Sequence, residues 1–582
     1  LPEHLTGSFT FVLHSHLPYV LRHGKWPHGS DWLSEAVAEC YIPILGILKQ
    51  LEAKNIRSRI SMDFTPILLE QLAADDFPEI FVAYCDEKID LAEKDYDYFF
   101  RNNEPELRPL ALFWHGFYSE CKRAFIQDYH EDLISAFRHF EENGTLDAMT
   151  SGATHGYFPL LLHDENIKAQ IALGIRTHEK YFGMKPRGIW LPECGYRPRY
   201  DWSPSLGPDE SRSFHAEREG IEEILSEFGL EYFVAEGSLT RGGTPLGSYF
   251  QLFQPIHPAI EREDEWKKLE FHFATHGERS LSDIYAVKST YRDLAGKPPV
   301  VFSRDRKTSE QVWSGEIGYP GEPRYLEFHK KHHNSGLRYW SVTDAKADLG
   351  SKQVYDPALI GEQVEMHARH FVALVKDTLR DHKERKGSNG IVCSPFDTEL
   401  FGHWWFEGPR FIGKVFELLE RDPDIRLTNC SEYLDERKEP VQVIALPEGS
   451  WGEGGGHYVW SNHNVAWTWD HIYPAEARFG ELVKKFNQGK KTDFLERVIR
   501  QTTRELLLLE SSDWQFIITT GGAPEYAKER FNEHVRQFNL LADLAERTMN
   551  RVTPDEHDKE LLENLEKVDA VFVEIDLGWW SS

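Results

Sequence analysis

"GIWLPECGYRP", residues 188–198, is an apolar run that stops at a proline and delivers one carboxylate, Glu193. An aromatic ring and a guanidinium follow at Tyr196 and Arg197. An acid that closes an apolar strand reads as a structural cap, a metal ligand or a catalytic carboxylate. What decides the fold is that the pattern recurs. "SFTFVLHSH" (8–16), "RSRISMDFTPILLEQL" (57–72), "LDAMTSGATHGYFP" (146–159) and "GIVCSPFDTELFGHWW" (390–405) are strand-like runs that also end in His, Glu or Asp. Helical spacing lies between them, as at Tyr41, Leu45, Leu48 and Leu51. Strands separated by helices predict βαβ units and a parallel sheet. Polar residues gathered at strand ends are the layout of a barrel whose active site sits on that face.

Two regions break this rhythm. Residues 199–265 are rich in Pro, Gly and Ser and read as an insertion in a barrel loop, with a helix-like centre "EREGIEEILSEFGL" (217–230). Toward the end of the chain the pattern turns helical, clearly so from about residue 475: Phe494, Val498 and Thr502 share a face, as do Phe531, Val535, Phe538, Ala542 and Ala545. The expected organisation is therefore α/β. A barrel spans 1–198 and 266–430, an inserted helical and loop region spans 199–265, and a C-terminal helical domain spans 431–582.

Bulk properties narrow the function. The 582 residues are 40% hydrophobic and 28% charged, which fits a soluble chain of two or three structural units. A net charge of −29 excludes nucleic acid, whose phosphates nothing here would neutralise, and anionic membrane surfaces; a neutral substrate is compatible with it. No run reaches the roughly 18 apolar residues of a membrane span. The start "LPEHLTGSFTF" has neither the basic opening nor the apolar centre of a signal peptide. Six scattered cysteines without a C-x-x-C pair read as reduced thiols. A cytoplasmic location is expected.

The chemistry-bearing residues fall at the strand ends. His14 and His16 alternate, so both point to one side of their strand, and His155 ends another. Three histidines could hold a divalent metal, as in a metal-dependent deacetylase, but no H-E-x-x-H or Cys/His cluster accompanies them. Orienting a carboxylate or bonding sugar hydroxyls is the favoured reading. Asp397 is surrounded by Phe396, Phe401, Trp404 and Trp405, which would desolvate it, raise its pKa and suit it to general acid duty. Glu193, beside Arg197, is expected to stay ionised and act as nucleophile. Two carboxylates whose environments push their pKa values apart are what glycosidic chemistry requires. Glu399, which alternation places on the same side as Asp397, is the competitor. "EGSWGEGGGHYVW" (448–460) lacks the Lys-Ser/Thr ending of a phosphate loop, so Trp451 and Trp460 are read as sugar-stacking aromatics.

With these residues in view, "HSHLPY", "ATHGYFPLL", "WLPECGYRP", "SPFDTELFGHWWFEGP" and "LPEGSWGEGGGHYVW" together resemble glycoside hydrolase family 57. The similarity runs in order from about residue 8 to about 545 and is strongest to the members that branch α-1,4-glucans. The resemblance implies a distorted (β/α)7 barrel with an inserted helical segment and a C-terminal all-α domain. It implies a retaining mechanism with no metal or organic cofactor, an α-glucan as substrate, and a monomer or weak homo-oligomer. Carried over by position, Glu193 matches the nucleophile and Asp397 the general acid/base. His14, His16 and His155 match histidines around the reacting sugar, and Trp313, Trp451 and Trp460 aromatics lining the glucan groove; Arg197 and Trp404 are expected to bind substrate as well. Tyr249, in "RGGTPLGSYF" (241–250), matches a loop tyrosine that selects the acceptor and excludes water. Asp63 and Cys194 depart from the family pattern, with local packing as the expected consequence. Hydrolysis or 4-α-glucan transfer by the same residues is the alternative activity.

Overall fold

The computed structural model describes residues 5–25, 27–242, 279–289, 293–314, 317–437 and 441–580. Twelve strands occur among them: β1 Gly7–Ser15, β2 Ile60–Phe64, β3 Leu146–Met149, β4 Gly188–Ile189, β5 Tyr200–Trp202, β6 Ala216–Arg218, β7 Tyr232–Ala235, β8 Tyr285–Val287, β9 Val300–Ser303, β10 Gly390–Asp397, β11 Ile425–Leu427 and β12 Gln442–Ile444. One sheet has the order β10–β1–β2–β3, all parallel, with β11 against the start of β1. A second has the order β12–β8–β9–β7–β4, in which only β8 and β9 are antiparallel. Single parallel bridges, Thr150 to Ile189 and Arg304 to Cys393, link the two sheets.

The apolar runs explain this arrangement. β1 is buried along its whole length, as a parallel strand covered on both faces must be. The helix Ile42–Ala53 turns Leu45, Leu48 and Leu51 inward, and Tyr41, the residue before it, is buried too. The helices Asp164–Phe182 and Ile360–Lys386 stop at Gly183 and Gly387, both left-handed, which releases the chain toward β4 and β10. Between β2 and β3 stand two long packed helices, Phe77–Arg101 and Arg108–Arg123. Strand-centred reading passes over that excursion.

Two stretches bear on the expected boundaries. The stretch 199–265 opens with the hairpin β5–β6, but β7 within it pairs with β4 and β9. Its alternation was hidden because Tyr-Phe-Val-Ala is buried on both faces. Likewise β12 and the glycine-rich 448–460 segment belong beside the second sheet, and the run of helices starts at Ala466. Five helices follow: Ala466–Gln488, Asp493–Leu509, Asp513–Thr520, Pro524–Met549 and Glu556–Val568. The closing segment docks on the α/β part, where Trp580 Nε1 donates to Asn166 Oδ1 (3.0 Å) and Phe572 N to Glu70 Oε2 (3.0 Å). Among the described residues no helix is long and apolar enough to cross a membrane.

Candidate active site

A cleft of about 370 Å³ opens at the C-terminal ends of the strands, lined by His14, His16, His155, Glu193, Trp313, Asp397, Glu399, Trp404, Trp451 and Asp513, among others. Strand register builds one wall. Asp397, the last residue of β10, lies opposite His14 of β1, and His14 lies opposite Asp63 of β2. His14 Nδ1 is 2.6 Å from Asp63 Oδ2. Asp63 is therefore more than a packing variant, for it fixes the orientation of a cleft histidine. Burial, and then the neighbouring His16, hold His14 well below the usual imidazole range, so it is neutral. Its ring stacks on Trp190, centroids 4.7 Å apart, a platform the sequence reading did not single out.

The other wall is a turn. After the two-residue strand β4, Glu193 adopts φ 59°, ψ 25°, a left-handed conformation that costs a non-glycine residue about 1–3 kcal/mol and recurs at functional sites. The glycine-rich segment holds that turn in place. Tyr196 and Gly449 exchange two backbone hydrogen bonds of 2.8 and 3.0 Å, and Trp451 N donates to Glu193 O (3.1 Å). Trp451 Nε1 donates to Glu193 Oε2 (2.9 Å), and Ser512 Oγ donates to Glu193 Oε1 (3.0 Å). Burial pushes the Glu193 carboxyl up to about 7; the Asp513 and Asp397 charges add to this, and the Trp451 and Ser512 bonds oppose it.

Arg197 was expected beside Glu193 and is not there. The chain bends after the turn, and the guanidinium is fully buried, 3.4 Å from Asp164. It lines no part of the cleft, so the expectation that it keeps Glu193 ionised falls with it. Trp460 is likewise in the core, stacked on Tyr157 at 4.2 Å, while Trp451 alone of the two reaches the cleft. Trp404 is 40% exposed and lies against Phe328 at 4.4 Å. Asp397 is half-buried, with Phe396, Phe401 and Trp405 packed in the core behind it. Glu399 also faces the cleft, but through a 3-10 turn after β10 rather than by strand alternation. It accepts a hydrogen bond from Tyr41, and burial pushes it up to about 8. Tyr249 lies outside the described residues.

The three histidines stack instead of converging their nitrogens, with ring centroids 4.1 Å apart for His16 and His155 and 4.9 Å for His14 and His155. His16 bonds Thr65 at 3.0 Å and Asp513 at 2.9 Å. Burial is the largest single effect and works against its charged form, but Asp513, Glu193 and Glu399 together raise His16 above its ordinary value. Asp513 and Ser512 come from the helical region, and no motif had marked them. The available signal was "LLLLESSDWQF" (506–516), five polar residues in an otherwise apolar run, all of them buried.

A family model described as Glycosyl hydrolase family 57 matches residues 10–447. The chain belongs to glycosyl hydrolase family 57. A second model, described as the C-terminal part of 1,4-alpha-glucan branching enzymes, matches residues 471–580, the helical region that supplies Ser512 and Asp513. The chain is 41% identical to a 1,4-alpha-glucan branching enzyme of Thermococcus kodakarensis over 99% of its own length and 78% of that protein's. A family 57 branching enzyme from Pyrococcus horikoshii has a similar structure, with a TM-score of 0.86 at 41% identity, covering 99% of this chain and 97% of that one. An alpha-amylase from Thermotoga maritima follows the same architecture at 29% identity and a TM-score of 0.78, over 99% of each chain.

Proposed function

We propose that this family 57 member is a 1,4-α-glucan branching enzyme that works by double displacement, with Glu193 as nucleophile and Asp397 as general acid/base. The observation that carries the proposal is the meeting of two carboxylates from different sheets, Asp397 of β10 and Glu193 of the turn after β4, in one aromatic-lined cleft. Relatedness to two branching enzymes at 41% identity supports the transfer reaction. We also read the seven parallel strands β10, β1, β2, β3, β4, β7 and β9 as a distorted (β/α)7 barrel, a reading supported by the two bridges between the sheets. The barrel then runs to about residue 447 and the helical domain occupies 466–580. A single-chain cytoplasmic protein is consistent with six buried, unpaired cysteines.

The geometry supports a two-step reaction. Ionised Glu193 attacks C1 of an α-1,4-linked glucose while Asp397 donates its proton to the departing glycosidic oxygen. A β-glucosyl ester forms on Glu193 and the leaving chain departs. Asp397, now a carboxylate, takes the proton of an acceptor 6-hydroxyl, whose oxygen attacks the ester carbon and releases Glu193. The new bond is α-1,6, with the anomeric configuration retained by two inversions. Neutral His14, held by Asp63, and His16, held by Thr65 and Asp513, flank the reacting sugar as hydrogen-bond partners of fixed orientation. Water in place of the acceptor gives hydrolysis, the reading that the Thermotoga maritima amylase favours. Incubation with amylose, followed by debranching, decides between them. Branching yields many new α-1,6 linkages with few reducing ends; the reverse ratio overturns the proposal.

A further inference from the structure

Ser512 sits where two strained turns meet. His155, at φ 60°, and Glu193, at φ 59°, are both left-handed, and Ser512 touches each: its Oγ is 3.0 Å from His155 Nδ1 and 3.0 Å from Glu193 Oε1. The backbone ties it there, with Ser512 N donating to His155 O at 3.1 Å and Gly156 bridging Ser511. The preceding Glu510 is pinned to the helix Asp164–Phe182 by Asn166 (2.8 Å) and Gln170 (2.9 Å). Gln170 in turn accepts from the Thr154 backbone N–H (3.0 Å), so one buried network locates both turns.

A hydroxyl has a single proton to give. With Glu193 ionised, that proton belongs on the carboxylate, and the Ser512 oxygen must then accept from His155. His155 is thereby the Nδ1–H tautomer, which leaves Nε2 as a bare acceptor; that atom is buried and has no hydrogen-bond partner among the described residues. Burial, then His16 and His14, keep the ring neutral, as this arrangement demands. We infer that Ser512 is a positioning residue that relays a hydrogen bond from His155 to Glu193 and so sets the pH at which the nucleophile ionises. The inference rests on the assignment of Glu193 proposed above. It gives the helical region a chemical role at the catalytic centre, beyond covering the barrel.

The titratable groups around Glu193 are His155 at 3.8 Å, His16, Asp513, Asp397, Tyr157 and Cys194. None of these groups is itself altered in Ser512→Ala, which removes the donor to Glu193 and, with the same hydroxyl, the acceptor of the His155 Nδ1–H. A donor to the charged form favours ionisation, so its loss moves the acidic limb of kcat/KM upward, by about one pH unit. Loss of a bond to a charged group lowers kcat about tenfold or more, with KM for amylose unchanged. Ser512→Thr, which keeps the hydroxyl, restores both. The experiment measures consumption of α-1,4 bonds against pH for wild type, Ser512→Ala and Ser512→Thr, with circular dichroism confirming the fold. An unmoved limb in Ser512→Ala, or a threonine variant no better than alanine, overturns the inference. Failure of the branching assignment shows separately, as reducing ends in place of branches. Failure of the nucleophile assignment shows as wild-type rates in Glu193→Gln.

Discussion

The two carboxylates of the cleft are placed by opposite means. Asp397 is located by a hydrogen-bonded ladder: β10 pairs with β1 over eight registered positions, and the last of them sets Asp397 against His14. Glu193 follows a strand of two residues and is held by side chains 258 and 319 positions away in sequence. A ladder tolerates little adjustment, since a slip of one residue turns every side chain to the other face. A turn held by distant partners can be tuned one bond at a time. The contrast separates an acid whose position is fixed by the sheet from one whose ionisation is adjusted by its visitors.

Removing either proposed reacting group gives the largest expected effect. Glu193→Gln and Asp397→Asn should each lower bond cleavage about 10⁴-fold, as for paired groups that act as a unit. Stability distinguishes the turn. Glu193 has its native pKa raised from 4.5 to about 7, so the native state binds a proton that the unfolded state has lost. The stability this confers is complete below pH 4.5 and lost as pH rises through about 7. Glu193→Gln carries no such dependence. Its melting temperature should therefore exceed that of wild type at about pH 8 and fall level with it or below at about pH 5. A difference independent of pH would mean that the carboxylate is not held in a desolvated turn.

The same contrast explains what could be read in advance. His14, His16 and Asp397 were legible because alternation along a strand fixes which way each side chain faces. Glu193 was legible as an acid at a strand end. Its surroundings were not, because they come from segments that no local pattern joins to it. Proximity in sequence misled at Arg197: the left-handed turn at Glu193 and Cys194 sends the following chain away from the cleft. Trp460 misled for a related reason, since it occurs in the same glycine-rich segment as Trp451 but falls on a 3-10 turn that packs inward on Tyr157. β7 was hidden by its two-sided burial, which erases the alternation that marks a half-exposed strand.

Trp460→Ala sharpens the point about neighbours. Truncating a fully buried tryptophan should cost about 3–5 kcal/mol of stability, read from denaturant unfolding, while the KM for amylose stays put. A raised KM with unchanged stability would return Trp460 to the groove. On the ladder side, Asp63→Ala leaves the buried His14 Nδ1 without its partner, a loss of about 1–3 kcal/mol. His14 would then be free to rotate, so activity should fall with it, whereas Asp63→Asn, which keeps an acceptor, should retain most of the stability.

Trp404 offers the smallest effect and the cleanest separation of groove from core. It is 40% exposed, backed by Phe328 at 4.4 Å, and stands at the cleft four residues beyond the end of the 3-10 turn that carries Glu399. A ring with this much surface left in water is only partly buried on folding, so Trp404→Ala should cost about 1 kcal/mol, well below the figure for the core Trp460. The exposed part of the ring would be covered when a glucan chain lies across it. Apolar area removed from water contributes about 25 cal/mol per Å², so covering some 50 Å² of the ring contributes roughly 1.3 kcal/mol. That is close to a tenfold rise in KM for amylose with kcat little altered, since a residue away from the bond being broken binds ground and transition states alike. Trp451→Phe is the instructive opposite, because it keeps an aromatic surface and removes the donor to Glu193, so its defect should appear in kcat and in the pH of the acidic limb. If both variants changed only KM, the division between a groove that binds and a turn that ionises would not hold.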